Sequence, residues 1–156
     1  MTSRILFVCL GNICRSPAAE GVFRVLAPGI ETDSCGTGGW HVGEPPYPPM
    51  QAAARARGYD ISDLRARRLR AEDFERFDLI LAMDRDNLRD IEALRPPGNR
   101  TPARLFADFL PTEGAGGSAL GLRDVPDPYF TRDFDAALDI IEAGARGLKA
   151  ALDAGR

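Results

Sequence analysis

Features that would assign this 156-residue sequence to several common classes of protein are missing from it. No apolar run approaches 18 residues, so we expect no membrane-spanning helix and no membrane partner. Lysine and arginine total 20 against 23 aspartates and glutamates, which leaves no basic excess for binding nucleic acid. The single histidine and the cysteines and carboxylates show no metal-ligand spacing, so we expect neither a metal nor another cofactor.

Cysteine is scarce and odd in number. The three cysteines are Cys9, Cys14 and Cys35, and no signal peptide follows Met1. This usage favours a cytoplasmic protein over a secreted fold built on disulfides. The length predicts a single domain, residues 1–156, with one core.

Segments typical of strands and helices alternate along the chain. The strands are predicted at 4–9, 30–37, 77–84 and 103–110, and the helices at 18–27, 50–58, 72–77, 85–94 and 132–152. Ser16 is predicted to cap the first helix, with Pro17 in its first turn. The small residues of 113–121 predict a flexible segment. This alternation predicts an α/β domain with a parallel sheet, whose ligands bind beyond the carboxyl ends of the strands.

The segment "CLGNICRS" (9–16) lies at such a carboxyl end, between the first strand and the first helix. A compact loop there turns several backbone N–H groups into one concavity, and the helix N-terminus adds partial positive charge. Gly11 relieves crowding and permits a positive φ. Arg15 offers a planar fork that matches two phosphate oxygens. The spacing therefore predicts an oxyanion site with the Cys9 thiol at its base.

The same positive field favours thiolate over thiol at Cys9. Ser16 could donate a hydrogen bond to the sulfur and stabilise it as a leaving group. Cys9 would then attack phosphorus and form a phosphocysteine, which divides one difficult step into two easier ones. Taken separately, Cys9 is better interpreted as a buried strand residue and Arg15 as a surface charge, and it is their spacing that favours chemistry.

A phosphate monoester also requires a proton donor for its leaving oxygen. In "DVPDPYF" (124–130), Asp127 precedes Pro128, which restrains the aspartate backbone, and two aromatic residues follow. A carboxylic acid with aromatic side chains next to it could protonate an aryl leaving group while those side chains contact its ring. An ordinary Asp-Pro turn is the alternative, and the cysteine loop makes the catalytic interpretation the better one.

Taken together, these motifs resemble the low-molecular-weight protein tyrosine phosphatases. "VCLGNICRSPAAE" (8–20) is similar to the phosphate loop of that family, and "DPYF" (127–130) to its acid loop. "TGGWHVGEPP" (37–46) and "RAEDFERFDLILAMDRDNLRDI" (70–91) keep the family's order and approximate spacing. The resemblance implies a four-stranded parallel sheet of order 2-1-3-4 with helices on both faces.

The resemblance also implies roles for individual residues. Cys9 would be the nucleophile, Arg15 would bind the phosphoryl group, and Asp127 would act as general acid and then as general base. The backbone amides of Leu10, Gly11, Asn12, Ile13, Cys14 and Arg15 would bind phosphate oxygens, or those of a sulfate. Asn12 would hold the loop's shape with Ser16 and Ser34 as hydrogen-bonding neighbours.

Further residues take roles through the same resemblance. Trp40 and Tyr129 would form the two walls of a slot that accepts the phenyl ring of tyrosine-phosphorylated protein substrates. Asp84 resembles an aspartate that supports the site, and Cys14 resembles a cysteine that can form a reversible disulfide with the nucleophile.

The sequence departs from the family at several positions. Leu64 stands where many members carry a histidine, so the hydrogen bond that this histidine supplies to the loop asparagine is expected to be absent or replaced. Tyr47 and Pro49 stand where members often carry aspartate and arginine, and Phe130 replaces a second tyrosine.

Two other functions are compatible with parts of the sequence. Thiol-linked arsenate reduction uses a similar loop but needs relay thiols, and Cys35 is the only cysteine outside the loop. A non-catalytic phosphotyrosine-binding module would have no use for the acid Asp127. Three further features are interpreted as structural and not catalytic. His41 is expected to lie near the rim of the site, Cys35 to pack in the core, and the basic run 65–70 to form a solvated face.

Overall fold

The computed structural model of the chain describes residues 2–111 and 123–155. Its elements are β1 (Arg4–Cys9), α1 (Arg15–Leu26), β2 (Glu31–Gly36), α2 (Pro48–Ala56), α3 (Asp73–Arg76), β3 (Leu79–Ala82), α4 (Arg85–Leu94), β4 (Ala103–Leu105), a 3-10 turn (Phe106–Phe109), α5 (Pro128–Thr131) and α6 (Phe134–Ala154). The segment 113–121, predicted to be flexible, lies outside the described residues. In the described part of the chain, no helix has both the length and the apolar character needed to cross a membrane.

The four strands form one parallel sheet in the order β2-β1-β3-β4. β1 lies in the centre, where Ile5 aligns with Thr32 on one side and with Leu79 on the other. Its last five residues are buried, as expected for a strand covered on both faces. The predicted α/β class and the strand order 2-1-3-4 are confirmed.

Helices cover both faces of the sheet. Ile5 and Phe7 of β1 face one core, which α1 and α6 complete with residues such as Phe23 and Leu138. The second core lies on the opposite face and holds apolar residues of β1, β3, β4, α3 and α4, which include Leu6, Val8, Phe74, Ile80, Ile91 and Leu105. This three-layer arrangement leaves the carboxyl edge of the sheet open for a ligand.

The first helix begins earlier than predicted. It starts at Arg15 with Cys14 at the cap position, and no side chain caps it. Ser16 therefore lies inside the first turn, where its hydroxyl contacts Cys9 instead of a backbone N–H. Pro17 does fit the first turn, where backbone N–H groups have no intrahelical partner.

The fourth strand is shorter than the predicted 103–110. Pairing between β3 and β4 ends with Ala82 opposite Leu105, so the next residues have no strand to extend against. They form the 3-10 turn instead, and Phe106 packs edge-on against Phe7. A Cβ at Gly144 of α6 would lie 2.3 Å from the Phe106 ring, so the absence of a side chain there allows this turn to pack.

A short helix that the sequence did not predict, α5, precedes the last long helix, α6. The helix predicted over 132–152 begins two residues later, at Phe134, because Arg132 adopts a left-handed backbone with φ 64° and ends α5. The Asp133 side chain then accepts a hydrogen bond from the Ala136 N–H and caps α6. The remaining predicted elements agree with the structure to within about two residues at their ends, as is usual for element boundaries.

Candidate active site

The sulfur of Cys9 lies at the carboxyl end of the central strand, facing the loop that leads into α1. It is 2.9 Å from the Ser16 hydroxyl, and it accepts a hydrogen bond from the Asn12 N–H at 3.2 Å. Cys9 is almost fully buried, with 3% of its surface exposed. A hydroxyl group and a backbone N–H therefore contact a sulfur that is almost fully shielded from solvent.

The loop is held by the side chain of Asn12. Its Nδ2 donates to the hydroxyls of Ser16 at 2.8 Å and Ser34 at 3.0 Å, and its Oδ1 accepts from the Arg67 N–H at 3.0 Å. Asn12 has φ 58°, a conformation that asparagine tolerates better than most residues. Gly11 does not use the positive φ that glycine permits, but its lack of a side chain relieves crowding as predicted. A Cβ on Gly11 would come within 3.2 Å of the His41 ring.

Leu64 does not supply the hydrogen bond that the loop asparagine needs, and a backbone N–H supplies it instead. Leu64 is partly buried and packs against the larger core. The acceptor on Asn12 is satisfied by the backbone N–H of Arg67. The Asn12 acceptor therefore has a hydrogen-bond partner although position 64 is leucine.

A buried carboxyl, Glu20, lies at the far end of this network. The Ser34 hydroxyl donates to Glu20 Oε1 at 2.7 Å. Burial raises the pKa of Glu20 to about 7, and the carboxylates of Asp33 and Asp63 also raise it, while the Ser34 hydrogen bond and Arg24 oppose the shift. Glu20 thus changes charge near neutral pH, beside the residue that supports Asn12.

We expect this carboxyl to make the stability of the fold depend on pH. Its folded-state pKa lies above the ordinary value of 4.5. The stabilising neutral form is therefore fully present below about pH 4.5 and is lost as the pH rises through about 7. The free energy of unfolding should fall by about 1–3 kcal/mol between about pH 5 and pH 8 through this group.

Denaturant unfolding of Glu20→Gln at both pH values tests this expectation. The amide keeps an acceptor for Ser34 but cannot ionise, so the variant should lose this part of the pH dependence. Glu75→Gln, at an exposed position on α3, is the matched control and should behave like the unsubstituted protein. The same pH dependence in Glu20→Gln and in the unsubstituted protein would contradict the assignment.

The guanidinium of Arg15 is buried and oriented by fixed acceptors. Its Nη1 donates to Asp84 Oδ2 at 2.8 Å and to the Val125 carbonyl at 2.9 Å, and its Nη2 contacts Asp127 Oδ2 at 3.4 Å. Its Nε is buried with no hydrogen-bond partner among the described residues. Burial alone would lower the pKa of Arg15, but the negative charges at Cys9, Asp127 and Asp84 raise it. The group is therefore a permanent cation with one donor edge still available.

Asp84 and Asp127 reach this cation from two separate helix starts. Asp84 caps α4 by accepting the Asn87 N–H at 2.7 Å, and Asp127 caps α5 by accepting the Tyr129 N–H at 3.1 Å. Each carboxylate uses one oxygen for the cap and turns the other toward Arg15. Asp127 keeps 22% of its side chain exposed, so it remains accessible to a ligand.

A cleft of about 250 Å³ opens above the cysteine loop. Its lining residues are Cys9, Leu10, Gly11, Ile13, Cys14, Arg15, Trp40, His41, Asp127, Tyr129 and Phe130. The structure thus brings Cys9, Arg15 and Asp127 together and places Trp40 and Tyr129 on the same cleft. Asn12, Ser16 and Ser34 do not line the cleft. Phe130 and His41 also line the cleft, in keeping with the predicted position of His41 near the rim.

The second loop cysteine differs from the first in its electrostatic environment. Burial, together with negative charge at Cys9 and Asp127, raises the pKa of the Cys14 thiol well above its ordinary value. Cys14 is therefore a neutral thiol at physiological pH. Cys35 is fully buried in the second core, and burial likewise raises its pKa.

The basic run 65–70 is only partly a solvated face. Arg65, Arg68 and Arg70 are exposed, but Arg67 forms ion pairs with Asp33 and Asp73, each at 3.0 Å. Because Asp73 is nearly fully buried, Arg67 neutralises a charge that has left water. This pairing also fixes the backbone whose N–H reaches Asn12.

Three comparisons place this arrangement among known proteins. Residues 4–156 match the family model for low molecular weight phosphotyrosine protein phosphatase. The low molecular weight protein-tyrosine-phosphatase of Streptomyces coelicolor is 43% identical, over 97% of this chain and 94% of that protein. The crystal structure of YfkJ from Bacillus subtilis matches with a TM-score of 0.89 and 35% identity, over 100% of this chain and 98% of that chain. Vibrio vulnificus Wzb in complex with benzylphosphonate matches with a TM-score of 0.82 and 26% identity, over 95% and 97% of the two chains.

The fold and the cysteine loop therefore define a phosphatase, a class within the hydrolases. The chain belongs to the low molecular weight phosphotyrosine protein phosphatase family and is a protein-tyrosine-phosphatase.

Proposed function

We propose that the chain hydrolyses phosphotyrosine in proteins, and aryl phosphates more generally, through a phosphocysteine intermediate on Cys9. The observation that carries this proposal is the convergence of three groups on one cleft: the Cys9 sulfur, the Arg15 guanidinium and the Asp127 carboxyl. Turnover of a phosphotyrosine peptide and of p-nitrophenyl phosphate, without turnover of a matched phosphoserine peptide, is the expected result. Binding of phosphotyrosine without turnover would instead support a non-catalytic binding module.

Arg15 and the loop amides bind the phosphoryl group in this proposal. Asp84 and the Val125 carbonyl occupy Nη1 and orient the guanidinium. The unpartnered Nε and the weakly engaged Nη2 then form the edge that meets two phosphate oxygens. The N–H groups of the loop from Leu10 to Arg15, except that of Asn12, which donates to the Cys9 sulfur, bind the remaining oxygens. A free phosphate or sulfate would occupy the same place.

In the first step, the Cys9 thiolate forms a bond to phosphorus as the bond to the phenolic oxygen breaks. Asp127 donates its proton to that oxygen, so the product leaves as a neutral phenol. Arg15 stabilises the charge on the transferring oxygens. The Ser16 hydroxyl and the Asn12 N–H remain close to the sulfur throughout.

In the second step, the Asp127 carboxylate accepts a proton from a water molecule that attacks phosphorus. The sulfur–phosphorus bond breaks and releases phosphate, and Cys9 leaves as a thiolate. The Ser16 and Asn12 donors favour this departure because they stabilise negative charge on sulfur. Cys14 remains a neutral thiol in both steps, consistent with its raised pKa.

Selection of aryl substrates is proposed to come from the cleft walls. Phosphotyrosine and phosphoserine present the same dianion, so the loop alone cannot distinguish them. Trp40 and Tyr129 belong to separate segments and line one cleft, and a phenyl ring between them gains about 0.5–1.5 kcal/mol beyond simple burial. The relative that is complexed with benzylphosphonate accommodates an aromatic ring next to a phosphorus oxyanion.

The position of the Trp40 wall depends on a neighbouring glycine. A Cβ at Gly38 would lie 1.9 Å from the indole ring, whereas a Cβ at Gly39 would be no closer than 3.6 Å to any atom beyond the two adjacent residues. Neither glycine has a positive φ. Trp40 is 72% exposed, so its ring can move without disturbing the core.

We therefore expect Gly38→Ala to displace the indole and lower kcat/KM for p-nitrophenyl phosphate about 3- to 10-fold, within the energy of one aromatic contact. Inhibition by inorganic phosphate should be nearly unchanged, because the loop is not altered. Gly39→Ala is the matched control and should retain the original kinetics. An equal loss of phosphate inhibition in Gly38→Ala would assign Gly38 to support of the loop and reject its role in the wall.

The remaining parts of the proposal concern context. We propose that the whole chain, residues 1–156, is a single phosphatase domain, in keeping with the family match over 4–156. We also propose a cytoplasmic location, which suits three free and buried cysteines. Tyrosine-phosphorylated proteins are the proposed partners.

A further inference from the structure

Arg132 lies beside the mouth of the cleft, and its positive charge is not paired with a carboxylate of the described residues. Its Nη1 donates to the Tyr47 hydroxyl at 3.2 Å and to the Tyr129 carbonyl at 3.3 Å. The guanidinium carbon is 5.2 Å from the centre of the Tyr47 ring and 5.4 Å from that of Phe134. Because Tyr129 is a cleft wall, these contacts hold the cation at the rim.

The aromatic groups that hold Arg132 form a continuous cluster with the wall. The Tyr47 ring centre is 5.2 Å from that of Tyr129, and the Tyr47 N–H donates to the carbonyl of Ile13 in the cysteine loop. The left-handed backbone of Arg132 is fixed by its N–H, which donates to the Pro128 carbonyl at 2.8 Å. The position of the guanidinium is therefore set by several contacts, although the side chain is exposed.

No carboxylate within residues 2–111 and 123–155 pairs with Arg132. This distinguishes it from Arg15, which contacts Asp84 and Asp127. Its contacts are with neutral groups, and its Nε and Nη2 make no hydrogen bond to the described part of the chain. The charge of Arg132 also reaches the cleft floor, where it acts to lower the pKa of Cys14 against the larger effect of burial.

We propose that Arg132 is a specificity residue that binds the carboxylate of an acidic side chain adjacent to phosphotyrosine in the substrate. This inference rests on the proposed function. A phosphotyrosine ring that enters the cleft leaves its own main chain at the rim, so the flanking side chains lie at the level of Arg132. The free edge of a guanidinium matches the two oxygens of a carboxylate. The exposed walls Trp40, Tyr129 and Phe130 carry no charge, and His41 of the same cleft is already paired with Glu44, so the unpaired cation at the rim is Arg132.

Three phosphotyrosine peptides test the inference. They are identical except that the residues flanking phosphotyrosine are aspartate, asparagine or lysine. For the unsubstituted protein we expect kcat/KM to fall about 2- to 5-fold from aspartate to asparagine, and again to lysine, as for an exposed ion pair. The preference should shrink as salt rises from about 0.01 M to about 1 M, because the Debye length falls from about 30 Å to about 3 Å.

Two arginine variants separate the rim charge from the overall charge of the protein. Arg132→Asn removes the cation, and asparagine tolerates the left-handed backbone; we expect it to flatten the peptide preference. Arg100→Asn is the matched control, since Arg100 is exposed, has no ion pair in the described segments and precedes β4 at the opposite edge of the sheet. Its peptide preference should equal that of the unsubstituted protein. Each preference is a ratio measured within one protein, so general changes in activity cancel.

Two results would overturn the inference. One is equal kcat/KM for the three peptides in the unsubstituted protein, and the other is a preference for aspartate that persists in Arg132→Asn. Both leave the proposed function standing, because the peptides are still hydrolysed. Failure of the proposed function would be distinct, since neither the peptides nor p-nitrophenyl phosphate would then be turned over.

Discussion

Cys9→Ser is expected to lower turnover of p-nitrophenyl phosphate by about 10⁴-fold or more, the scale seen when an enzyme loses its nucleophile. A serine hydroxyl remains protonated in this site, whereas the proposed mechanism needs an ionised sulfur. Binding of inorganic phosphate should persist, because Arg15 and the loop amides are unchanged. Activity is measured by release of p-nitrophenol, and binding by calorimetry with inorganic phosphate.

A second cysteine offers the control for this substitution. Cys35 is fully buried on the other face of the sheet and does not line the cleft. Cys35→Ser removes one thiol, as Cys9→Ser does, and should keep turnover within a few-fold of the unsubstituted protein. Substantial activity in Cys9→Ser would refute the assignment of the nucleophile.

Asp127→Asn is expected to slow hydrolysis by about 10²–10⁴-fold, the usual contribution of a general acid. The loss should be largest for phosphotyrosine, whose phenolate is a poor leaving group, and smaller for phenols that are more acidic. The amide can still accept the Tyr129 N–H that caps α5, so the loop should keep its shape. The dependence of the phosphorylation rate on leaving-group pKa is the measurement.

The neighbouring Asp124 provides a matched control for the acid. It lies three residues away, pairs with Arg85 at 3.1 Å and does not line the cleft. Asp124→Asn should leave the leaving-group dependence as it is in the unsubstituted protein. If the loss in Asp127→Asn were the same for all leaving groups, Asp127 would not be the proton donor.

Features that depend on short stretches of sequence were predictable. Cys9, Arg15 and Ser16 lie within eight consecutive residues where a strand leads into a helix, so their proximity follows from chain connectivity. The strand and helix alternation predicted the parallel sheet, and the family resemblance supplied its order. The predicted fourth strand extended too far because its end is set by β3, which lies about 20 residues earlier in the chain.

Features that depend on contacts between distant segments were not predictable. The Arg67 N–H reaches Asn12 across 55 residues, and the Tyr47 ring meets Arg132 across 85 residues. Glu20 looks like an ordinary helical glutamate in the sequence, and only the packing around it buries its carboxyl. Gly38 is one of two adjacent glycines in the sequence, and the position of the Trp40 ring is what distinguishes them.

Trapping the intermediate tests the central claim most directly. In Asp127→Asn, p-nitrophenyl phosphate has a good leaving group, so formation of the phosphocysteine should be affected less than its hydrolysis, which needs Asp127 as a base. Mass spectrometry of the rapidly quenched variant should then find one phosphoryl group on the peptide that contains Cys9. Release of p-nitrophenol with no phosphoryl group on Cys9, or with the group on another residue, would contradict the mechanism.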